Sequence, residues 1–348
     1  MHIYIDIGHP AYAHALRFFI EEMKERGHEV LVSARDKEIT HCLLRAWGIP
    51  FIDRGTGSSA ASSLSLAEKV RDLLRAVVRL LPVVRKFRPD VVISYSSYHA
   101  ALTGRLLGCP VLTFEDTENV PLLHMVNRIL SSRMITPVCF EKDFGSKHIR
   151  FDGYKELASL HPSRFRPLPL PGTVEKPYVV LRFVSWRAWH DRGHQGITEK
   201  MKHLIAERLS DFARVYISSE DGLSPGLSRY GLMCDCETVH SVLAGARLFF
   251  GESASMAAEA AVLGTPAIYI DNDGRGYTRD LEREHHLMFG YGEDEDDIYR
   301  ALEKATGLLQ NPDLEEEWQR RRINMLKGKI DVTSWMVETA ENYNASGR

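Results

Sequence analysis

Residues 248–271 read LFFGESASMAAEAAVLGTPAIYID: a short apolar run, a turn of small residues, a helical run and a second apolar run. Gly264 and Pro266 stop the helix, because glycine accepts the left-handed cap and proline brings no N–H to continue the ladder. The predicted unit is strand, loop, helix, strand. A helix start leaves backbone N–H groups unpaired and carries a partial positive charge, which suits a diphosphate. Gly251, Ser253, Ala254, Ser255 and Met256 surround that start, and the small side chains among them let a phosphate approach the backbone. Glu259 stands one turn further on, where a carboxylate can accept both vicinal hydroxyls of a ribose. A plainer reading fits the same letters: Ser253 or Ser255 caps a packed helix, and Glu259 faces water.

The totals bound the rest. A chain of 348 residues, 44% hydrophobic and 26% charged, is long enough for two ordinary cores and has the make-up of a soluble protein. Its net charge of −3 provides no general basic field, so nucleic acid is not an expected partner. Five cysteines form no CxxC pair and no zinc spacing. The first residues, MHIYIDIGHP, read as a core strand rather than a signal peptide, and no apolar run reaches the ~20 residues of a membrane span. The expectation is a cytoplasmic chain.

Residues 3–7 form the first predicted strand, followed by the loop 8–14 and a helix over 15–26 with Leu16, Phe19, Ile20 and Met23 on one face. Strand, helix and strand again at 28–33 imply a parallel doubly wound sheet, whose ligands bind beyond the carboxyl ends of its strands. His9 and His14 are candidates there, unless one only bonds the loop backbone. The loop has no GxGxxG, which disfavours a dinucleotide. In the helix 66–87, Arg71, Arg75 and Arg79 step along one face, opposite Val70, Leu73, Leu74, Val77, Val78 and Leu81. Such a stripe can meet an anionic lipid surface, although a solvated face is the commoner case and is the reading taken here.

After the strand 111–114 come Glu115, Asp116 and Glu118, three carboxylates at a strand's carboxyl end. Close carboxylates raise one another's pKa, which suits general acid and base work. The alternative is an acidic helix start. Five prolines in 161–177 read as a domain hinge. The second domain opens with the strand 178–183, followed by a loop that gathers Arg182, Ser185, Arg187, His190, Arg192 and His194, donors suited to a departing diphosphate. Asp271 and Asp273 read as a polar turn rather than a metal motif, and the acidic run 293–297 as a helix start and not a site.

The spacing of Ser253, Glu259 and Gly264-Thr265-Pro266 resembles the sugar-nucleotide motif of GT-B glycosyltransferases. It is also similar to the matching segment of non-hydrolysing UDP-N-acetylglucosamine 2-epimerases. Over nearly its full length the chain resembles an archaeal and bacterial family of GT-B-like proteins with no assigned activity. Residues 122–137 look like the epimerase stretch that carries a Glu-Glu-x-Asn-Arg signature: Asn127-Arg128 is retained, but His124 and Met125 stand where the glutamates would be.

The resemblance implies an α/β, GT-B-like fold, with two Rossmann-like doubly wound parallel-sheet domains facing a cleft. The expected divisions are 1–160, a linker at 161–177, 178–330, and a terminal helix at 331–348 that returns to the first domain. A nucleoside-diphosphate sugar, UDP-linked by this likeness, is expected on Arg182, Ser185, His190, Gly251, Ser253–Met256 and Glu259, with neither metal nor further cofactor. His9, His14, Glu115, Asp116 and Glu118 would serve a glycan or lipid-linked acceptor. The leading expectation is a glycosyltransferase, beside an epimerase or hydrolase and a sugar-nucleotide-binding protein without turnover.

Overall fold

The computed structural model describes residues 1–55, 66–186 and 194–346, and the chain divides into two compact units. The first holds Met1–Arg164 and Ile330–Arg348, the second Phe165–Lys329. The first boundary falls within the proline-rich stretch 161–177.

In the first unit, apolar runs too continuous for a half-exposed strand become the buried strands of a parallel sheet. They are β1 (His2–Ile7), β2 (Glu29–Ala34), β3 (Ile52–Asp53), β4 (Val91–Tyr95), β5 (Val111–Phe114), β6 (Arg133–Pro137) and β7 (His148–Phe151). Their order is β3-β2-β1-β4-β5-β6-β7, and every pairing is parallel. The order reverses at β1, so right-handed crossovers send α1 (Pro10–Glu25) and α2 (Thr40–Ala46) to one face. By the same rule α3 (Leu66–Phe87), α4 (Tyr98–Leu107) and α5 (Pro121–Leu130) go to the other. The chain then leaves β7 for the short α6 (Leu157–Leu160).

Helix α3 runs through Pro82 without ending there. Its buried ridge is Val77, Leu80 and Val84, whereas Leu74 and Val78 are 52% and 69% exposed beside the arginines. That corrects the expected division of the helix, which put both on the packed face. A wide apolar arc has two possible ridges, and the sheet takes only the one that reaches it.

The second unit is a five-stranded parallel sheet in the order β12-β11-β10-β8-β9. Its strands are β8 (Tyr178–Phe183), β9 (Arg214–Ser219), β10 (Leu248–Gly251), β11 (Ala267–Ile270) and β12 (Met288–Tyr291). The helices are α7 (Glu199–Ser210), α8 (Val239–Gly245), α9 (Ala254–Leu263), α10 (Gly276–Arg283), α11 (Glu295–Gln310) and α12 (Leu314–Leu326). The helix of the opening stretch, α9, buries Ala257, Ala258 and the run Ala260, Ala261, Val262 and Leu263, so small residues let it lie close to the sheet. Gly264 ends it with φ +87°, the left-handed cap the sequence called for.

The last helix, α13 (Val332–Ser346), belongs to the first unit and packs on α1 and α6. Thr333 Oγ1 donates to the Ala158 carbonyl at 2.7 Å, and Arg164 Nε donates to Asp331 at 2.8 Å. No described helix is long and apolar enough to cross a membrane.

Candidate functional site

Both sheets carry their polar residues at the carboxyl ends of the strands. In the first unit β5 ends at Phe114, and Glu115 follows at 1% exposure. Its Oε1 accepts from Ser96 Oγ at 2.6 Å and from the N–H groups of Asp116 and Thr117 at 3.2 and 3.3 Å. Its Oε2 has no hydrogen-bond partner among the described residues and lies 3.9 Å from His124 Nε2. That imidazole nitrogen is 2.8 Å from the Thr117 carbonyl, so Nε2 carries the proton. Burial, then the neighbouring Asp116, pushes the Glu115 carboxyl up to about 8. Burial holds His124 below its ordinary value, so it stays neutral at pH 7.

Asp116 has a different fate. Its Oδ2 takes Lys155 Nζ at 2.5 Å, and that ammonium also lies 3.4 Å from Glu156. Of these two adjacent carboxyls, one is paired with a cation and the other has its pKa raised. Glu118 is also buried. Tyr12 joins them: Lys155 Nζ sits 5.7 Å from its ring centre, and burial, then Asp116 and Glu115, raises its phenol. Lys155, Tyr12 and Ser96 were not among the expected residues, because their partners are distant in sequence.

His9 and His14 take other places. His9 Nδ1 accepts the Ala11 N–H at 3.2 Å and caps α1, the backbone-bonding role the sequence left open, while Nε2 lies 3.8 Å from Glu38. His14 sits edge-on to Trp47 at 5.1 Å. A second buried network lies at the same sheet edge. Asp6 at the end of β1 accepts from Ser33 Oγ at 2.6 Å and Ser97 Oγ at 2.5 Å, with Arg54 Nε at 3.1 Å. An aspartate inside an apolar strand was the available signal for it.

In the second unit Ser253 caps α9, its Oγ accepting the Met256 N–H at 3.3 Å. The first intrahelical bond is Ala257 N–H to Ser253 O, 2.9 Å, so the N–H groups of Ala254 and Ser255 precede the ladder. Residues 253–256 are half-buried. Glu259 is buried rather than solvated, with Oε1 3.4 Å from His240 Nε2. Gly251 has a packing reason of its own: a Cβ there would sit 2.3 Å from the Arg182 carbonyl oxygen on the paired strand β8. Arg182 donates to Ser218 Oγ and Glu220 Oε1, both at 2.8 Å, and Ser185 donates to Glu220 Oε2 through N and Oγ, both at 3.1 Å. These two donors are therefore tied to the end of β9. Arg187, His190 and Arg192 lie outside the described residues.

Each of β10, β11 and β12 is followed by a buried carboxylate: Glu252, Asp271 and Glu293. Glu252 accepts from Val184 N–H, Ile197 N–H and Trp186 Nε1 at 3.1, 2.6 and 3.0 Å, which pins the loop after β8. Glu293 corrects the reading of 293–297 as a plain helix start. Asp294 is the N-cap of α11, whereas Glu293 Oε2 accepts from Gln195 and Gly196 N–H at 2.7 and 2.9 Å, and Oε1 contacts His194 Nδ1. His194 stacks on Trp186 at 4.6 Å and lies 3.7 Å from Asp271. Burial pulls this imidazole down, but Glu293, Asp271 and Asp273 outweigh it and hold it above its ordinary value. One imidazole nitrogen and two carboxylate oxygens here lie within 4.8 Å of one another, a donor set that a divalent cation can use. As it stands the set is a closed ion-pair network, with Asp271 also bonded by Tyr269 OH and Arg275.

No protein-family model matches the sequence, and none of the curated proteins does. Solved structures do. A UDP-GlcNAc 2-epimerase from Neisseria meningitidis, bound to UDP-GlcNAc, superposes with a TM-score of 0.67 at 15% identity, over 98% of this chain and 100% of that one. The spinosyn forosaminyltransferase SpnP gives 0.67 at 14% identity over 99% of each chain. The Streptomyces sp. SF2575 glycosyltransferase SsfS6 gives 0.62 at 14% identity over 98% of this chain and 99% of that one. At such identities the likeness establishes the fold: two parallel-sheet α/β units of the GT-B kind, common to sugar-nucleotide epimerases and glycosyltransferases.

Proposed function

We propose that the chain is a glycosyltransferase that uses a nucleoside-diphosphate sugar, UDP-linked, and needs no metal for the transfer. The observation that carries this reading is Glu115, a buried carboxyl with a pKa of about 8 and one oxygen without a hydrogen-bond partner among the described residues. A base is most effective when its pKa lies near the working pH, and such a group takes the proton of an acceptor hydroxyl as it attacks the anomeric carbon. The departing diphosphate gains charge, and the capped start of α9 supplies backbone N–H groups and a positive dipole end to receive it. Buried Glu259 takes the ribose. Neighbours bound to UDP-GlcNAc and to thymidine diphosphate support a sugar nucleotide as the ligand class.

An epimerase working through the signature of residues 124–128 is less well supported. His124 is neutral and Met125 is exposed, so neither supplies the second carboxyl of that signature. A product assay separates the readings. UDP-GlcNAc incubated with the protein and a mixed acceptor pool should yield UDP and a glycosylated product. Conversion to the 2-epimer without any acceptor would overturn the transferase reading.

A further inference from the structure

Helix α5 is apolar on two sides: Leu130 packs on the core, and a second apolar stripe faces outward. His124 and Asn127 are buried at 5% and 0% exposure, while Leu122, Met125 and Ile129 face outward at 49%, 55% and 67%. Both amide atoms of Asn127 have no hydrogen-bond partner among the described residues. A helix that only covers a sheet turns its apolar stripe inward, so this one has a second apolar contact to make. Its neighbours continue the surface, since α4 packs beside both α3 and α5. Leu106 on α4 is 58% exposed, and on α3 Leu74 and Val78 are 52% and 69% exposed.

Charge on this face is mostly positive, with Glu68 and Asp72 confined to the first turns of α3. The sequence contains no Asp or Glu in 73–89, 91–114 or 119–140, and 73–89 alone holds five Arg or Lys. A cavity of about 560 Å³ opens beside the α5 stripe, with Arg128, Lys142 and Lys147 in its wall and Asp143 the carboxylate among them. Lys142 and Lys147 point their ammonium groups at backbone carbonyls, and Asp143 is spent on His148 at 3.0 Å. Among the described residues neither ammonium is hydrogen-bonded to a carboxylate.

We propose that the α3–α4–α5 face docks on an anionic membrane surface, its apolar residues entering the headgroup boundary and its cations meeting lipid phosphates. Dispersed apolar side chains within a cationic field are what such a surface binds. A two-fold contact with a second copy would set the same Arg and Lys residues against one another, which disfavours self-association. The inference is independent of the sugar chemistry proposed above.

The test is sedimentation of the whole protein with vesicles of phosphatidylcholine, alone or mixed with phosphatidylglycerol, at low and high salt. Binding to the mixed vesicles should exceed binding to the neutral ones by roughly tenfold and should weaken with salt. Ile129→Asp and Met125→Asp alter only exposed positions, so they should abolish binding while leaving the melting temperature unchanged. Absence of binding to either vesicle, or undiminished binding by both variants, would overturn the proposal. So would a concentration-dependent dimer in light scattering that Ile129→Asp dissolves, which would assign the face to a second copy.

Discussion

In the proposed transfer, Glu115 concentrates the chemistry of the first unit in one side chain. A carboxyl with its pKa raised to about 8 is mostly protonated at pH 7, so it acts as a base only on the alkaline side. The kcat/KM of the transfer should therefore rise with pH through about 8, and Glu115→Gln should remove that limb along with most of the activity. Stability has a matching sign. The folded pKa lies above the ordinary value of 4.5, so the folded state binds the proton more tightly than the unfolded chain. That contribution is complete below 4.5 and is lost as the pH rises through about 8. Each unit of displacement corresponds to about 1.4 kcal/mol. Urea unfolding at pH 5 and pH 9 should show a larger loss for the native protein than for Glu115→Gln; equal losses would mean that the carboxyl is not held protonated. The sequence announced Glu115 and Asp116 by their place after a strand. It did not announce their division of labour, because Lys155, which separates them, is remote in the chain.

At the scale of the element, α9 was the most legible part of the molecule. Gly264 ends it as expected, and of the two candidate caps, Ser253 and Ser255, it is Ser253 that takes the position. Ser253→Ala should cost about 1 kcal/mol of stability, measured by urea unfolding, whereas Ser253→Gly should cost only a few tenths. Equal losses for the two would remove the capping hydroxyl from the account of this helix. Gly251 shows the limit of such reading, since its reason is the approach of Arg182 from the adjacent strand, a neighbour that local spacing cannot name. Helix α3 shows another limit. Periodicity located the helix but not which of two apolar ridges meets the sheet, and Leu74 and Val78 went to the wrong side. In α5 an apolar stripe at helical spacing faces solvent.

Over the whole molecule, repeated alternation of apolar runs with helical periods was enough to specify two parallel doubly wound sheets. Right-handed crossovers then fix which helices share a face. The networks at the sheet edges were harder. Asp6 with Arg54, and His194 with Glu293, join residues that only the folded sheets bring together. Glu293 was hidden inside an acidic run whose other members cap α11.

In the proposed reading the second unit binds a nucleoside-diphosphate sugar through the start of α9 and Glu259. Titration calorimetry with UDP, GDP, CMP and UDP-GlcNAc, without and then with Mg²⁺, addresses it most directly. A charged hydrogen bond contributes ~1.5–3 kcal/mol, so Glu259→Ala should weaken binding roughly ten- to hundred-fold. The expected result is saturable binding of one uridine nucleotide, independent of Mg²⁺ and weakened to that extent in Glu259→Ala. Binding of none of them, or affinity unchanged by the substitution, would contradict the claim.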